Sequence, residues 1–244
     1  MGLSAILVAL ALGLNTACAS LIDVNFYSAG VGGSTASGAA VVGTATDTWN
    51  GFDGDNGGGF ATLVNSQGAA TPVSLFYTNY GGSAVRSATA NIQPNASLMS
   101  DYIFNNGTGN DDIVVTLSGL LHSTPYDLYV YLASNDASGG DRSASVTANS
   151  ASSTATGNPQ ITFINGQNYL LLVPTSTSAG IITITETPNA GVQEVDMNGL
   201  QLSTLPTTGV PDASPTLRLL LVGGIGLILF ARRTSRSGVA TAVA

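Results

Sequence analysis

The sequence predicts an all-β fold, a single β-sandwich of jelly-roll type over residues 20–203. Short stretches rich in Val, Ile, Tyr and Thr alternate with segments rich in Gly, Asn and Ser, which is the pattern of strands joined by turns. The chain has no lysine and only two glutamates, so it is poor in residues that favour helices. The body contains neither an amphipathic helical pattern nor a repeat of fixed period.

Alternation of apolar and polar residues locates the strands. In the clearest strand, residues 126–133, we expect Tyr126, Leu128 and Val130 to face one way and Tyr129 and Tyr131 the other. Glycine-rich and asparagine-rich segments, such as residues 53–59, are predicted to be loops. The eleven predicted strands are residues 21–26, 73–77, 85–92, 102–104, 112–117, 126–133, 143–148, 160–164, 169–173, 181–187 and 195–202, with weaker candidates at 39–42 and 48–49.

The N-terminus has the features of a secretory signal peptide. Residues 3–14 are a 12-residue apolar stretch, too short to span a bilayer as a stable helix. Ala17 and Ala19 match the small-x-small cleavage rule, so we expect residues 1–19 to be removed. A lipoprotein starting at Cys18 and an uncleaved anchor are the alternatives, but Asn15 stands where a lipoprotein motif needs an apolar residue. Cleavage after Ala19 removes the only cysteine.

The C-terminus has the organisation of a sorting signal. A linker, residues 204–209, leads to Val210, Pro211 and Asp212, and an apolar helix is predicted over residues 217–231. Its 13 uncharged residues reach roughly 20 Å, against a hydrocarbon core of about 30 Å, so a thin or tilted span is expected. Arg232, Arg233 and Arg236 would keep this end cytoplasmic, and residues 237–244 are predicted to be a disordered tail.

This tail resembles the PEP-CTERM family of bacterial sorting signals, in its VPD-type variant. The matching residues are Val210, Pro211 and Asp212, the hydrophobic helix and the arginine cluster. Ala213 replaces the Ser or Pro of the family, and Arg218 interrupts the start of the helix. The resemblance implies an exosortase-like transpeptidase as partner, a transient membrane anchor, and delivery to the outer surface or matrix. It covers residues 210–236 and implies nothing about the body.

Composition restricts the partners of the body. Between the two ends, residues 20–209 carry two arginines and thirteen carboxylates, a net charge of −11. Nucleic acid and anionic membranes both need a cationic footprint, so the sequence disfavours them as partners. Aspartate oxygens are ligands for calcium, and residues 53–58 begin like an EF-hand loop. Asp53, Asp55 and Asn56 are therefore candidate ligands of a structural calcium ion, with residues 110–112 and 136–141 as alternatives, against plain acidic turns.

Aromatic residues beside polar ones are candidates for carbohydrate binding. Tyr129 and Tyr131 share a strand face with Asp127, and Trp49 lies beside a glycine-rich loop. The competing interpretation is that the tyrosines fill the second face of the sheet. The body also resembles galactose-binding-like sandwiches loosely, in residues 117–131 and 198–201. Many such folds bind carbohydrate, but a fold does not define a function.

Catalysis has little support in the sequence. His122 is the only histidine, no Gly-x-Ser-x-Gly motif occurs, and nothing marks Glu186 or Glu194 as one of a carboxylate pair. We therefore predict a secreted, non-enzymatic cell-surface or extracellular-matrix protein. The alternatives are a carbohydrate-binding module for exopolysaccharide, a glycan-active hydrolase, and a matrix protein that self-associates through edge strands and calcium.

Overall fold

The computed structural model describes residues 21–78, 81–85, 95–105, 112–132, 142–158, 162–192 and 194–204. These ranges contain fourteen strands, two 3₁₀ turns and one short helix, α1 (Ala96–Ser100). The strands are β1 (Ile22–Tyr27), β2 (Asn50–Asp53), β3 (Gly58–Val64), β4 (Ala70–Thr78), β5 (Gly82–Val85), β6 (Asp101–Asn105), β7 (Ile113–Ser118), β8 (Tyr126–Tyr131), β9 (Ala144–Ala148), β10 (Ala151–Ala155), β11 (Tyr169–Leu172), β12 (Ile182–Pro188), β13 (Val195–Met197) and β14 (Gly199–Thr204). The predicted all-β class is confirmed.

Both predicted end segments lie outside the described residues. These are the signal peptide with Ala17 and Ala19, and residues 205–209 of the linker, the sorting motif, the hydrophobic helix, the arginine cluster and the tail. Thr204, predicted to begin the linker, is the last residue of β14. Within the described ranges, no helix is long and apolar enough to cross a membrane. The predictions about export and sorting therefore stay predictions from the sequence.

Two large sheets pack face to face to form the sandwich. The five-stranded sheet has the order β11-β8-β14-β1-β2, and the six-stranded sheet has the order β10-β9-β12-β7-β4-β3. Strands β13, β6 and β5 form a smaller third sheet. Val24 and Leu128 from the five-stranded sheet meet Val115 and Ile184 from the six-stranded sheet in one buried cluster. This continuous apolar layer is the main source of stability in a domain that has no cysteine among its described residues.

The alternation predicted for residues 126–132 is present in β8. Tyr126, Leu128 and Val130 lie in the cluster between the two sheets, whereas Tyr129 and Tyr131 belong to a second cluster on the opposite face. A strand directs successive side chains to opposite faces, so one short sequence contributes to both layers. This second cluster forms because residues that precede β2 and residues of α1 cover the outer face of the five-stranded sheet. These residues are Ala36, Ala40, Trp49, Leu98 and Met99.

The structure differs from the strand prediction at several places. Residues 39–42 form bends, and the described residues 162–164 of a predicted strand contain only an isolated bridge. Conversely, no strand was predicted over β2, β3 or the edge strand β10, and β3 begins at Gly58, inside the loop predicted for residues 53–59. Gly59 can pair with β4 because a Cβ there would lie 2.7 Å from the ring of Tyr77, so only glycine leaves room for that ring.

Candidate functional site

Trp49 does not form an exposed binding platform. Its side chain is only 5% exposed, and its indole Nε1 donates a hydrogen bond to the carbonyl oxygen of Gly38 at 2.7 Å. Its ring packs against Tyr131 with a centroid distance of 6.5 Å. These contacts give Trp49 a packing role under the covering segment of the five-stranded sheet. Its burial weakens the prediction that this residue binds a ligand.

Tyr131 is part of a buried hydrogen-bond network. Its hydroxyl donates to Oε1 of Gln201 and accepts from the backbone N–H of Val41 at 3.1 Å. The amide of Gln201 in turn donates to Oδ1 of Asp23 at 2.6 Å and to the carbonyl of Val42 at 3.1 Å. Burial raises the pKa of Tyr131 well above its ordinary value and raises that of Asp23 to about 7. This network joins the covering segment to β1, β8 and β14, so Tyr131 also acts in packing.

Tyr129 and Asp127 remain accessible at the margin of the same face. Both side chains are half-buried, and Tyr129 lies beside Tyr169 of β11 with ring centroids 6.4 Å apart. Burial, with the nearby Asp127 carboxylate next, raises the pKa of the Tyr129 phenol. The four residues predicted to bind a ligand are therefore split into two buried packing residues and two partly accessible ones.

The predicted calcium loop is tied together by its own hydrogen bonds. Asp55 accepts hydrogen bonds from the hydroxyls of Ser28 and Ser83 and, at 2.7 Å, from the backbone N–H of Gly30. These bonds lower its pKa, and Asp53 accepts from the backbone N–H of Asp55 at 3.2 Å. Asn56 is exposed. The described ranges contain no group of three or more acidic, histidine or cysteine side chains suited to a metal ion.

Calcium at Asp53, Asp55 and Asn56 stays a prediction from the sequence. The alternative loops at 110–111 and 136–141 lie outside the described residues, although Asp112 is described. The hydrogen bonds of Asp53 and Asp55 give these carboxylates a role that needs no ion, because they fasten the 3₁₀ turn to the segment after β1 and to β5.

The structure describes all three residues that were considered for catalysis, His122, Glu186 and Glu194. His122 is exposed in the turn before β8, where its carbonyl accepts a hydrogen bond from the hydroxyl of Thr124. Glu186 is fully buried between the sheets, and this burial raises its pKa well above the ordinary value. Glu194 is held by Arg142 in an ion pair of 3.1 Å. Glu186 therefore has no access to a substrate, and these two glutamates do not form a carboxylate pair in a cleft.

The most distinctive exposed surface is the outer face of the six-stranded sheet, which the sequence reasoning missed. Strand alternation places the inward residues in the core, and most of the outward residues carry a hydroxyl group. We call this surface the hydroxyl face. Its hydroxyl residues are Thr62, Ser74, Thr78, Thr116, Ser118, Ser145, Thr147, Ser152, Thr154, Thr183, Thr185 and Thr187, and its other outward residues include Phe60, Ala70, Pro72, Phe76 and Val114.

Strand register aligns these side chains in rows across the sheet. One row runs from Phe60 through Phe76 and Thr116 to Thr183. The next row contains Thr62, Ser74 and Ser118, and the hydroxyls of the two serines are 2.9 Å apart. A third row contains Thr78, Val114, Thr185, Thr147 and Ser152. Neighbouring strands lie about 4.8 Å apart, so each row presents polar groups at a regular short spacing.

Two phenylalanines stand exposed at one side of the hydroxyl face. Phe60 is 68% exposed and Phe76 is 49% exposed, and the two residues are directly opposite each other on β3 and β4. Cross-strand aromatic pairs do stabilise hairpins, so part of their role is structural. Their exposure nevertheless leaves two aromatic faces in water beside the row that continues to Thr116.

The hydroxyl face carries no charged side chain along its six strands, although the whole chain has a net charge of −8. Asp112 lies immediately before β7 at the rim, and Glu186, on β12, faces inward. The other described carboxylates are buried or belong to turns, to the five-stranded sheet or to the segment before β13: Asp23, Asp47, Asp53, Asp55, Asp101, Asp127, Glu194 and Asp196.

The fold and this surface define a β-sandwich domain with one covered outer face and one open, uncharged, hydroxyl-lined outer face. No family model matches the chain, and no curated protein matches it. Solved structures with partial similarity include a GH26-CBM35 β-(1,4)-mannanase from Podospora anserina. It has 21% identity and a TM-score of 0.34, and the match covers 53% of this chain and 26% of the mannanase chain.

Two further solved structures have a similar degree of likeness. A CBM22-1–GH10 xylanase from Clostridium thermocellum has 8% identity and a TM-score of 0.30, covering 53% of this chain and 26% of its own. An exo-β-1,3-galactanase from Phanerochaete chrysosporium has 14% identity and a TM-score of 0.29, covering 57% of this chain and 32% of its own. This chain thus spans about a quarter to a third of the length of these structures. Similarity at this level does not transfer a ligand or an activity.

Proposed function

We propose that this chain is an exported, non-enzymatic protein of a bacterial cell envelope that binds polysaccharide outside the cell. The observation that carries the binding part is the hydroxyl face, an open sheet surface with exposed phenylalanines and no charged residue among its outward side chains. Hydroxyl groups both donate and accept hydrogen bonds, which suits a ligand whose own polar groups are hydroxyls. A few polar groups beside apolar or aromatic ones are the usual composition of a ligand site.

The binding part is tested by adding polysaccharides to the purified full-length chain and measuring heat of binding or co-sedimentation. The expected result is saturable binding to at least one neutral polysaccharide. Absence of binding to neutral and acidic polysaccharides alike would contradict the proposed function. A His122→Ala variant, assayed on the same glycans and on esters, checks the hydrolase alternative, and we expect wild-type and variant to release no product.

The export part rests on the two end segments. The signal peptide directs the chain out of the cytoplasm, and an exosortase-like transpeptidase would recognise Val210, Pro211 and Asp212 while the hydrophobic helix holds the chain in the membrane. The test is the intact mass of the protein recovered from the outer-surface fraction of its native producer. A mass that begins at Ser20 and ends near Pro211 is expected, whereas a mass that retains Arg232 and Arg233 would contradict processing.

Self-association into a matrix is the second candidate, because Phe60 lies on β3, an edge strand of the six-stranded sheet. An edge strand exposes unpaired backbone groups that another chain can extend. Sedimentation velocity of the full-length chain over a range of concentrations, with calcium and then with chelator, tests it. Reversible assembly would support this function, and a constant sedimentation coefficient would remove it.

A further inference from the structure

We infer that Phe60 and Phe76 anchor an uncharged glycan chain, which lies across the strands of the hydroxyl face along the row that ends at Thr183. This inference rests on the proposed function and specifies its site and ligand class. The row places the two exposed aromatic side chains next to Thr116 and then Thr183, in register on four neighbouring strands. Four strands span about 14 Å, which is long enough to contact several sugar units.

The two kinds of side chain in this row match the two kinds of surface on a sugar ring. The C–H groups of a pyranose pack on an aromatic face, as apolar groups do on Phe60 and Phe76. The ring hydroxyls exchange hydrogen bonds with Thr116 and Thr183, and with Ser74 and Ser118 in the adjacent row. Each threonine also presents a methyl group, so the hydroxyls are separated by small apolar patches.

The distribution of charge selects an uncharged ligand. No arginine lies among the outward residues of these six strands, and Asp112 is the carboxylate at the rim. A polyanion such as an acidic polysaccharide would gain no ion pair on this face and would be repelled by the net charge of −8 of the whole chain. A neutral glycan avoids both costs.

The shape of the face favours a single glycan chain over a flat partner. Neighbouring strands of a sheet rotate by roughly 20° to 25°, so a surface six strands wide is strongly twisted. A crystalline polysaccharide surface is flat and would touch only part of it. A second copy of the domain would find little apolar area, since Phe60, Phe76, Pro72, Val114 and the small Ala70 are the apolar side chains of this face.

The test compares variants of the full-length chain in binding to dextran, galactomannan and xyloglucan as neutral probes, and to alginate as the acidic probe. Phe60→Ser combined with Phe76→Ser is expected to weaken binding to the neutral probe that the wild-type protein binds best by at least about tenfold. Leu171→Ser is the matched control, because Leu171 is 39% exposed and lies on the five-stranded sheet. It is expected to bind as the wild-type protein does.

A Phe60→Leu, Phe76→Leu variant keeps apolar bulk on the hairpin and removes only the aromatic faces. We expect it to fold with the wild-type circular dichroism spectrum and to lose affinity in the same direction. Wild-type affinity in both double variants would overturn the inference while leaving the proposed function intact. Tighter binding of alginate than of every neutral probe would overturn the ligand class, and failure of the wild-type protein to bind any probe would overturn the proposed function itself.

Discussion

Asp23 gives the stability of this domain a defined dependence on pH. Its carboxyl is buried on β1, with Gln201 as its hydrogen-bond donor and Asp47 nearby, and burial raises its pKa from 3.8 to about 7. The folded state therefore holds a proton that the unfolded state releases between these values. The contribution of Asp23 to stability is fully present below about pH 3.8 and is lost as the pH rises towards 7.

The Asp23→Asn variant should remove this part of the pH dependence. We expect the wild-type midpoint of thermal unfolding to fall between pH 4.5 and pH 7.5, and the variant to show a shallower fall, because burial also raises the pKa of Glu186 and of Asp101. Thermal unfolding followed by circular dichroism at the two pH values measures the difference. Thr147→Asn, at an exposed neutral residue, should keep the wild-type slope, and equal slopes in all three proteins would contradict the role of Asp23.

Tyr131 and Tyr129, on the same strand, are expected to contribute differently to the stability of the domain. Tyr131→Phe would leave the Oε1 of Gln201 without its phenolic donor and the N–H of Val41 without its acceptor. We expect this change to lower the free energy of unfolding by about 1–3 kcal/mol and to leave polysaccharide binding unchanged. Tyr129→Phe, which alters a half-buried phenol, should change stability by less than about 0.5 kcal/mol. Urea unfolding of both variants decides between these roles, and a larger loss in Tyr129→Phe would contradict them.

At the scale of elements, Gly119 controls how closely β7 approaches the start of β4. Its φ is +79°, and a Cβ there would lie 2.1 Å from the carbonyl oxygen of Pro72. Gly32 also has a positive φ, of +88°, but a Cβ there would meet nothing within 4 Å. We expect Gly32→Ala to lower the free energy of unfolding by about 1–2 kcal/mol, and Gly119→Ala to lower it by about 1–3 kcal/mol more. Equal losses in urea unfolding would show that the close approach is not needed.

The alternation of apolar and polar residues in the sequence was sufficient to predict strands that bury one of their two faces in the core. The strand at β8 was predicted with the correct faces, because Leu128 and Val130 alternate with polar or aromatic residues. Alternation failed to predict β10, an edge strand in which only Ala155 is buried. Its sequence therefore has no alternating pattern of apolar residues. Alternation failed for β3 because the pairing of Gly58 and Gly59 depends on the neighbouring Tyr77.

The candidate site could be predicted only in part, because it depends on which strands pair with one another. Alternation shows that Thr183 and Thr185 face away from Ile182 and Ile184, but not which strands lie beside them. The hydroxyl face arises from the order of six strands and their register, which long-range pairing determines. The burial of Trp49 could not be predicted from its neighbours in the sequence alone, since its cluster includes Leu98, Met99 and Tyr131, which are distant in sequence.

At the scale of the whole molecule, the two outer faces of the sandwich differ in how far other residues cover them. The outer face of the five-stranded sheet is largely closed by the covering segment, with Tyr131, Gln201 and Asp23 joined beneath it. The outer face of the six-stranded sheet stays open, and the one described carboxylate on its strands, Glu186, faces inward and is buried. A domain with this division can be stable without cysteine among its described residues and still offer a wide neutral surface for binding.

The most direct test of the central claim is a methyl NMR titration of the full-length chain, labelled at threonine methyl groups, with the neutral polysaccharide it binds best. If the polysaccharide binds to the hydroxyl face, we expect the chemical-shift changes to concentrate at Thr62, Thr116 and Thr183. Thr124 and Thr177, in turns that lie outside the strands of this face, should remain unshifted. Chemical-shift changes confined to those turns, or to Thr46 and Thr48 near Trp49, would contradict binding on the hydroxyl face. They would indicate a binding site on the five-stranded sheet or its loops.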